Sequence, residues 1–550
     1  MASGSLALVL HAHLPWVRHP EYPHFLEEDW LYEAITETYL PLLAMMDRLA
    51  RDGVAFALTM SLTPPLCEML ADPLLRERYT ARLHATIALG ENLVEQKRDT
   101  PYADAAAYAL WHAREALEVW SERYGTEILQ GFKRHQDAGN LVILTCGATH
   151  GLLALTATRE GRRAQVLAAK ANYQKHFGRA PEGIWLGECA YQDGLDEVLH
   201  EAGIRFLFME THGITWGEPR PRYGHYRPIL SVSGEDGGGV AVFARDPACS
   251  RQVWSAESGY PGDPLYREFY RDAGYDAPLE WLAGLLGDQP RKSVGVKLHR
   301  VTGKVALNEK EPYVPAWAEA RAQEHARHFL GERTKQIEEL RQALGIEPLL
   351  VAPYDAELFG HWWYEGPIFI DALFRAAADF PAVRMDTPTR WLERFPDCQI
   401  VRPCPSSWGD KGFWDVWVNG ENAWIYKHLH RAEEHMVELA SAAVAPSPEE
   451  ERALTQAGRE LLLAQSSDWA FIVTMQTTVP YAVKRTRMHL AAFDRLFHMI
   501  GAHAIDAAYV AELEVRSPAF SELDWRLWVR ESDPRVGGNA VPGVTTRPIP

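Results

Sequence analysis

"GIWLGECAYQDGLDEVLHEAGIRFLFM", residues 183–209, decides the fold. The apolar run "GIWL" is followed by "GLDEVLHEA" (194–202), whose spacing predicts a short helix. Gly203 ends that helix, and "RFLFM" (205–209) is a second apolar run. Strand, helix and strand at these lengths make a βαβ unit, whose two strands are parallel because the crossover returns the chain to the same end of the sheet. Working outward, "SLALVL" (5–10), "VAFALT" (54–59), "LVILT" (141–145) and "PLLVAP" (348–353) are runs of the same kind. "GPIFIDALFRAAADF" (366–380) reads as another crossover helix, with Pro367 in its first turn. Two regions break the rhythm. Residues 65–135 read as helical, with Tyr79, Leu83 and Ile87 on one face, and about 425–525 carries three long amphipathic runs. The expected architecture is an α/β barrel (1–64 and 136–400) with a helical insertion (65–135) and a helical C-terminal domain (401–527). The Pro/Gly-rich tail, 528–550, is expected to be flexible.

Composition narrows the chemistry. A chain of 550 residues, 47% hydrophobic and 24% charged, is an ordinary globular protein of two or three domains. Its net charge of −18, without a long basic run, disfavours nucleic acid and fits a neutral substrate. The run before His11 is too short and uncharged for a signal segment, and no stretch is long enough to span a bilayer. The six cysteines are scattered without a C-x-x-C pair, so they read as reduced thiols of a cytoplasmic protein. Nineteen Trp stand beside 21 Tyr and 19 Phe, many near Gly, Pro or charged residues. Indoles offer flat faces to the C–H faces of sugar rings, so this abundance points to carbohydrate.

Active sites of parallel α/β folds lie at the C-terminal ends of strands. The polar residues there are His11 and His13, His150, Glu188, Glu210 and His212, then Asp355, Glu357 and His361. One strand-end acid alone is more often a cap or a surface residue. Glu188, however, is flanked by Trp185 and Tyr191, and Phe359, Trp362, Trp363 and Tyr364 follow Asp355. Two acids among aromatics suit glycoside chemistry, in which one carboxylate attacks and the other, kept protonated by apolar surroundings, donates to the leaving oxygen. Spacing does not choose between Asp355 and Glu357. The same histidines and acids also suit zinc, as in amidohydrolases or metal-dependent sugar deacetylases.

Five stretches carry a resemblance: "HAHLP" (11–15), "CGATHG" (146–151), "GIWLGECAY" (183–191), "YDAELFGHWWYEG" (354–366) and "SSDWAFIV" (466–473). They are similar, in order, to the signature stretches of family 57 glycoside hydrolases. "VWSAESGYPGD" (253–263) and "SSWG…VWVNG" (406–420) further resemble the family's 1,4-α-glucan branching enzymes. The resemblance implies a seven-stranded β/α barrel with Glu188 as nucleophile and Asp355 as general acid/base, no metal and no cofactor. It implies cleavage of an α-1,4 bond in an amylose- or glycogen-like glucan and transfer to a 6-hydroxyl. His11 and His13 would then be a polar wall bonding sugar hydroxyls, with His150 and Asp468 beside them. Trp30, Trp408 and Trp417 would stack glucose units, and Tyr260, between Gly259 and Pro261, would tip a lid that favours transfer over hydrolysis. One departure stands out: "GVKLHRVTGK" (295–304) carries His299 where many relatives have Trp. A hydrolase or 4-α-glucanotransferase of the same family, a metal-dependent deacetylase and a non-catalytic glucan-binding protein are the alternatives.

Overall fold

The computed structural model describes residues 2–232, 238–255 and 259–530. The expected flexible tail lies outside the described residues from 531 onward. Among the described residues there are ten strands: β1 Gly4–Ala12, β2 Leu58–Leu62, β3 Leu141–Leu144, β4 Gly183–Ile184, β5 Phe206–Met209, β6 Ile229–Ser231, β7 Val240–Ala244, β8 Leu349–Asp355, β9 Val383–Met385 and β10 Gln399–Ile400. One sheet runs β3-β2-β1-β8, with β9 also paired to β1, and the other runs β10-β6-β7-β5-β4. All pairs are parallel except β6–β7. A lone bridge between Thr145 and Ile184 joins β3 to β4. At the other side, Asp246 N–H donates to the Val351 carbonyl at 2.8 Å, just past β7. Seven strands therefore follow one another as β8-β1-β2-β3-β4-β5-β7, a barrel-like α/β arrangement whose joins are thin at two places.

β1 is buried at all nine positions, which is why its sequence is apolar on both faces. Ala7 and Val9 meet Trp185, Phe206, Phe208, Phe243, Leu349 and Val351 in the core between the strands. Leu6, Leu8 and Leu10 pack outward, in the large cluster that includes the surrounding helices. The crossover helix of the opening stretch spans Leu195–Glu201, between Gly194 and Gly203, both left-handed.

Across residues 65–135 the chain forms the helices Pro64–Ala71, Pro73–Lys97, Ala103–Leu117 and Ile128–Asp137. The C-terminal third carries Trp424–Ala442, Pro448–Ala464, Ser467–Met475, Val479–Gly501 and Ala507–Arg516. Two elements differ from expectation. β2 begins at Leu58 and not at Val54, and continues through Ser61 because that hydroxyl is satisfied by His11. The 30-residue helix Pro315–Leu344 escapes an apolar-run reading because much of its buried stripe is Ala318, Ala322 and Ala326. None of the six cysteines is in a disulfide, and among the described residues no helix is long and apolar enough to cross a membrane.

Candidate active site

The C-terminal ends of the strands open into a cavity of about 880 Å³, within the usual range for small-molecule sites. Strand alternation decides which side chains reach it. On β1 the inward stripe is Ala7, Val9, His11, and His13 continues it past the strand end. On β8 the stripe is Leu349, Val351, Pro353, Asp355, and register pairs Asp355 with His11. His11, His13 and Asp355 all line the cavity, as do Trp30, His150, Glu188, Trp408 and Asp468.

Glu188 follows β4 in a tight turn with left-handed backbone (φ 59°, ψ 25°), which is unusual for a residue with a Cβ. Gly187 allows the turn to sit against the His150 loop, since a Cβ there would come within 2.9 Å of the His150 and Gly151 carbonyl oxygens. The Trp408 indole N–H donates to Glu188 Oε2 at 2.9 Å, and the Trp408 backbone N–H donates to the Glu188 carbonyl at 3.1 Å. Burial pushes Glu188 up to about 8, with the charges of Asp468 and Asp355 adding to the rise and the Trp408 hydrogen bond opposing it. Burial pushes Asp355 up to about 6, against His13 and Arg245. The Asp355 carboxyl has no hydrogen-bond partner among the described residues. A third acid, Glu357, is pushed up to about 8 by burial; it accepts from Tyr39 Oη at 2.5 Å and from the His13 backbone N–H at 3.2 Å.

The histidines form one stacked, hydrogen-bonded wall. His13 and His150 stack at 3.9 Å between ring centroids, and His11 stacks on Trp185 at 4.7 Å. His11 Nε2 and His150 Nε2 are 2.9 Å apart, so they share a single proton. Burial first, and neighbouring imidazoles second, hold both well below the usual histidine range, so both are neutral at neutral pH. His13 Nε2 meets Asp468 Oδ2 at 3.0 Å and its Nδ1 meets Thr63 Oγ1 at 3.0 Å. Burial alone would raise Asp468, but the charge and hydrogen bond of His13, aided by His150 and Ser466, hold it at about 2. Asp468 also lies in the first turn of its helix, where a negative charge is favoured.

Ligand atoms of His13, His150 and Asp468 lie within 4.8 Å of one another, the grouping that the metal alternative requires. Each ring nitrogen there already has a partner: Thr63 and Asp468 for His13, Ser467 and His11 for His150. A cation would have to displace those bonds.

Two expectations, for Tyr260 and Trp417, need correction of place, and His299 also finds its position. Tyr260 is not an exposed tip: it is 7% exposed, stacked on His325 at 4.4 Å, with its hydroxyl bonded to Gln252 and His328, and it does not line the cavity. Its apolar ring is better buried against the helix Pro315–Leu344 than left in water; the preceding residues 256–258 lie outside the described residues. Trp417 is 1% exposed and packs against Gly409, so it supports the Trp408 loop and offers no face to a ligand. His299 is buried edge-on to Tyr102 beside a separate cavity of about 310 Å³, away from the main one.

Sequence reasoning passed over Arg245, Trp254 and Phe471, which also line the cavity. Arg245 stands at the end of β7, "VAVFA", a strand the apolar-run reading did not mark; marking it would have exposed the arginine.

Comparisons with known proteins agree with this geometry. Residues 7–347 match Glycosyl hydrolase family 57, and residues 428–528 match "1,4-alpha-glucan branching enzyme, C-terminal". A 1,4-alpha-glucan branching enzyme of Thermococcus kodakarensis is 34% identical, over 97% of this chain and 80% of the relative. Among solved structures, the alpha-amylase AmyC from Thermotoga maritima superposes with a TM-score of 0.89 at 41% identity, covering 96% of this chain and 100% of that one. A GH57 branching enzyme from Thermococcus kodakaraensis, in complex with glucose and additives, gives 0.87 at 33% identity, covering 97% and 98%. A family match over more than half the chain and near-complete overlap with these relatives lead to one conclusion: the chain belongs to glycosyl hydrolase family 57.

Proposed function

We propose that the protein is a 1,4-α-glucan branching enzyme that cleaves α-1,4 bonds by retaining double displacement and transfers the chain to a 6-hydroxyl. The observation that carries the chemistry is a pair of half-buried carboxyls, Glu188 and Asp355, facing one cavity whose lining includes Trp30, Trp254, Trp362 and Trp408. The branching assignment rests on the relatives, because the C-terminal match and the 34% identical enzyme both carry that name.

In this reading Glu188 attacks the anomeric carbon and Asp355 protonates the leaving oxygen, then deprotonates the incoming hydroxyl. Two features support the division of roles. An N–H donor, Trp408, serves the ionised form of Glu188 and fixes its aim. Asp355, without a protein partner, is free to give and retrieve a proton. Burial makes Glu188 the weaker acid of the two. A proton on Asp355 removes one of the charges that raise Glu188, so the pair titrates as a unit. The neutral His11–His150 pair, whose ring nitrogens are spent on Ser61, Ser467 and each other, lines the cavity as an uncharged imidazole wall, and Trp30 and Trp408 present faces to the rings. We further propose that the barrel portions (1–64, 136–400) are the catalytic unit, and that the insertion (65–135) and C-terminal helices (401–527) complete the cleft.

The second reading is an α-glucan hydrolase. It is favoured by the 41% identical alpha-amylase and by Tyr260, which is packed away from the cleft and not closed over it. Incubation with amylose tests both: branching requires new α-1,6 linkages in excess of new reducing ends. Reducing ends without α-1,6 linkages would establish hydrolysis instead.

A further inference from the structure

A second large cavity, about 650 Å³, opens between the insertion and the barrel helices. Along Ala103–Leu117 the residues Tyr108, Trp111, His112 and Glu115 share one face at helical spacing, and all four line it. The opposite face of the same helix, with Ala106, Leu110 and Ala113, is buried, and Tyr108 and His112 pack edge-on or tilted against Tyr313 and Tyr364. Trp111 is nevertheless 50% exposed, with Tyr108 tilted against it at 5.2 Å. The Tyr108 hydroxyl and both ring nitrogens of His112 have no hydrogen-bond partner among the described residues. Burial holds His112 at about 4, so at neutral pH it offers one donor and one acceptor.

Five carboxylates and three guanidiniums line the cavity, so it disfavours phosphates and other anions. An exposed indole face, Trp111, beside unspent polar groups matches a neutral ring that is apolar on its faces and hydroxylated at its edges. The cavity also shares a wall with the main cleft: Glu37 lines this one and accepts from His361, which lines the other, with Nδ1···Oε2 2.6 Å.

We propose that this cavity is a non-catalytic binding site for α-glucan, with Trp111 as its stacking platform and Tyr108, His112 and Glu319 as hydroxyl partners. The inference rests on the α-glucan reading above. A polymer held here and threaded toward the cleft has a raised effective concentration at the catalytic acids.

The test uses the full chain with amylose and maltoheptaose. Trp111→Ala and Glu319→Ala, on separate helices, are each compared with the wild type by retardation in amylose-containing native gels and by kinetics. Glu319 is exposed, so its substitution leaves the fold intact even if that of Trp111 does not. Expected are weaker retardation and a rise in KM for amylose of about threefold or more, as loss of one aromatic contact gives, with kcat on maltoheptaose unchanged. Folded variants that bind and process amylose as the wild type does would overturn the site. A wild type that neither binds nor processes amylose would instead overturn the α-glucan reading itself.

Discussion

The active-site acids titrate against each other, and that sets the pH behaviour. With Asp355 near about 6 and Glu188 near about 8, the productive state carries one proton on the pair. Below the lower value both acids are protonated and no nucleophile is left; above the upper value both are ionised and no acid is left. We expect kcat/KM to be bell-shaped, with limbs near about 6 and about 8, measured on a soluble maltooligosaccharide. A profile flat from pH 5 to pH 9, a range of about two decades on either side of neutrality, would refute the pairing. Glu188→Gln should reduce turnover to background while glucan binding persists, and Asp355→Asn should lower it by about 10²–10⁴-fold. Near-normal turnover in the Glu188 variant would remove it from the mechanism. Trp408→Phe keeps an aromatic face but deletes the N–H donor to Oε2, so Glu188 becomes a still weaker acid and the profile should move to higher pH. An unshifted profile would mean that the indole acts on substrate alone.

At the scale of elements, the turn after β8 is held by backbone geometry as much as by side chains. Gly360 has φ +122°, and a Cβ there would meet the Glu37 carbonyl oxygen at 1.8 Å. Its neighbours are His361, bound to Glu37, and Trp362, stacked on Phe269 at 4.4 Å. Gly360→Ala must therefore push this turn off the Ile35–Tyr39 segment and drag two cleft residues with it. We expect a loss of about 1–3 kcal/mol in stability, read as a lower Tm, together with reduced activity. A variant as stable and active as the wild type would show that the turn has another low-energy arrangement.

The whole molecule is tied together through the site. His13, just past β1, meets Asp468 from the C-terminal helices, and His150 meets Ser467 beside it. Because Asp468 is held at about 2, below the usual carboxylate value, it contributes stability above the unfolded pKa near about 3.9 and loses it as pH falls through about 2. Asp468→Asn should flatten that part of the stability–pH curve, as measured by denaturant unfolding at stepped acid pH. A curve that keeps the wild-type slope would mean that the His13–Asp468 pair carries no net stabilisation. Cutting the chain after Gly420 removes Asp468, Ser467 and the helices whose buried faces join the main core. The truncated protein should be inactive and aggregate, which solubility and gel filtration would reveal.

The sequence by itself determined the strand-helix-strand rhythm, the helices across 65–135 and in the C-terminal third, and the strand-end positions of His11, His13 and Asp355. Those follow from local periodicity: a strand alternates, so the parity that buries Ala7 and Val9 also carries His11 inward, and Leu349 and Val351 do the same for Asp355. The motifs brought Glu188 to notice, but its left-handed turn, the Trp408 hydrogen bond and the shared proton of His11 and His150 are contacts between residues far apart in the chain. Tertiary structure alone decided the fate of the aromatics. Trp408, Trp417 and Tyr260 sit in equally glycine-rich and proline-rich stretches, yet one lines the cleft, one is core and one is packed on a helix. Nothing local separates them, because burial of a large ring depends on what the rest of the chain brings against it. The alanine stripe of Pro315–Leu344 makes the same point from the other side, since small side chains give a weak apolar signal although they are fully buried, while His325 and His328 of the same helix cover Tyr260.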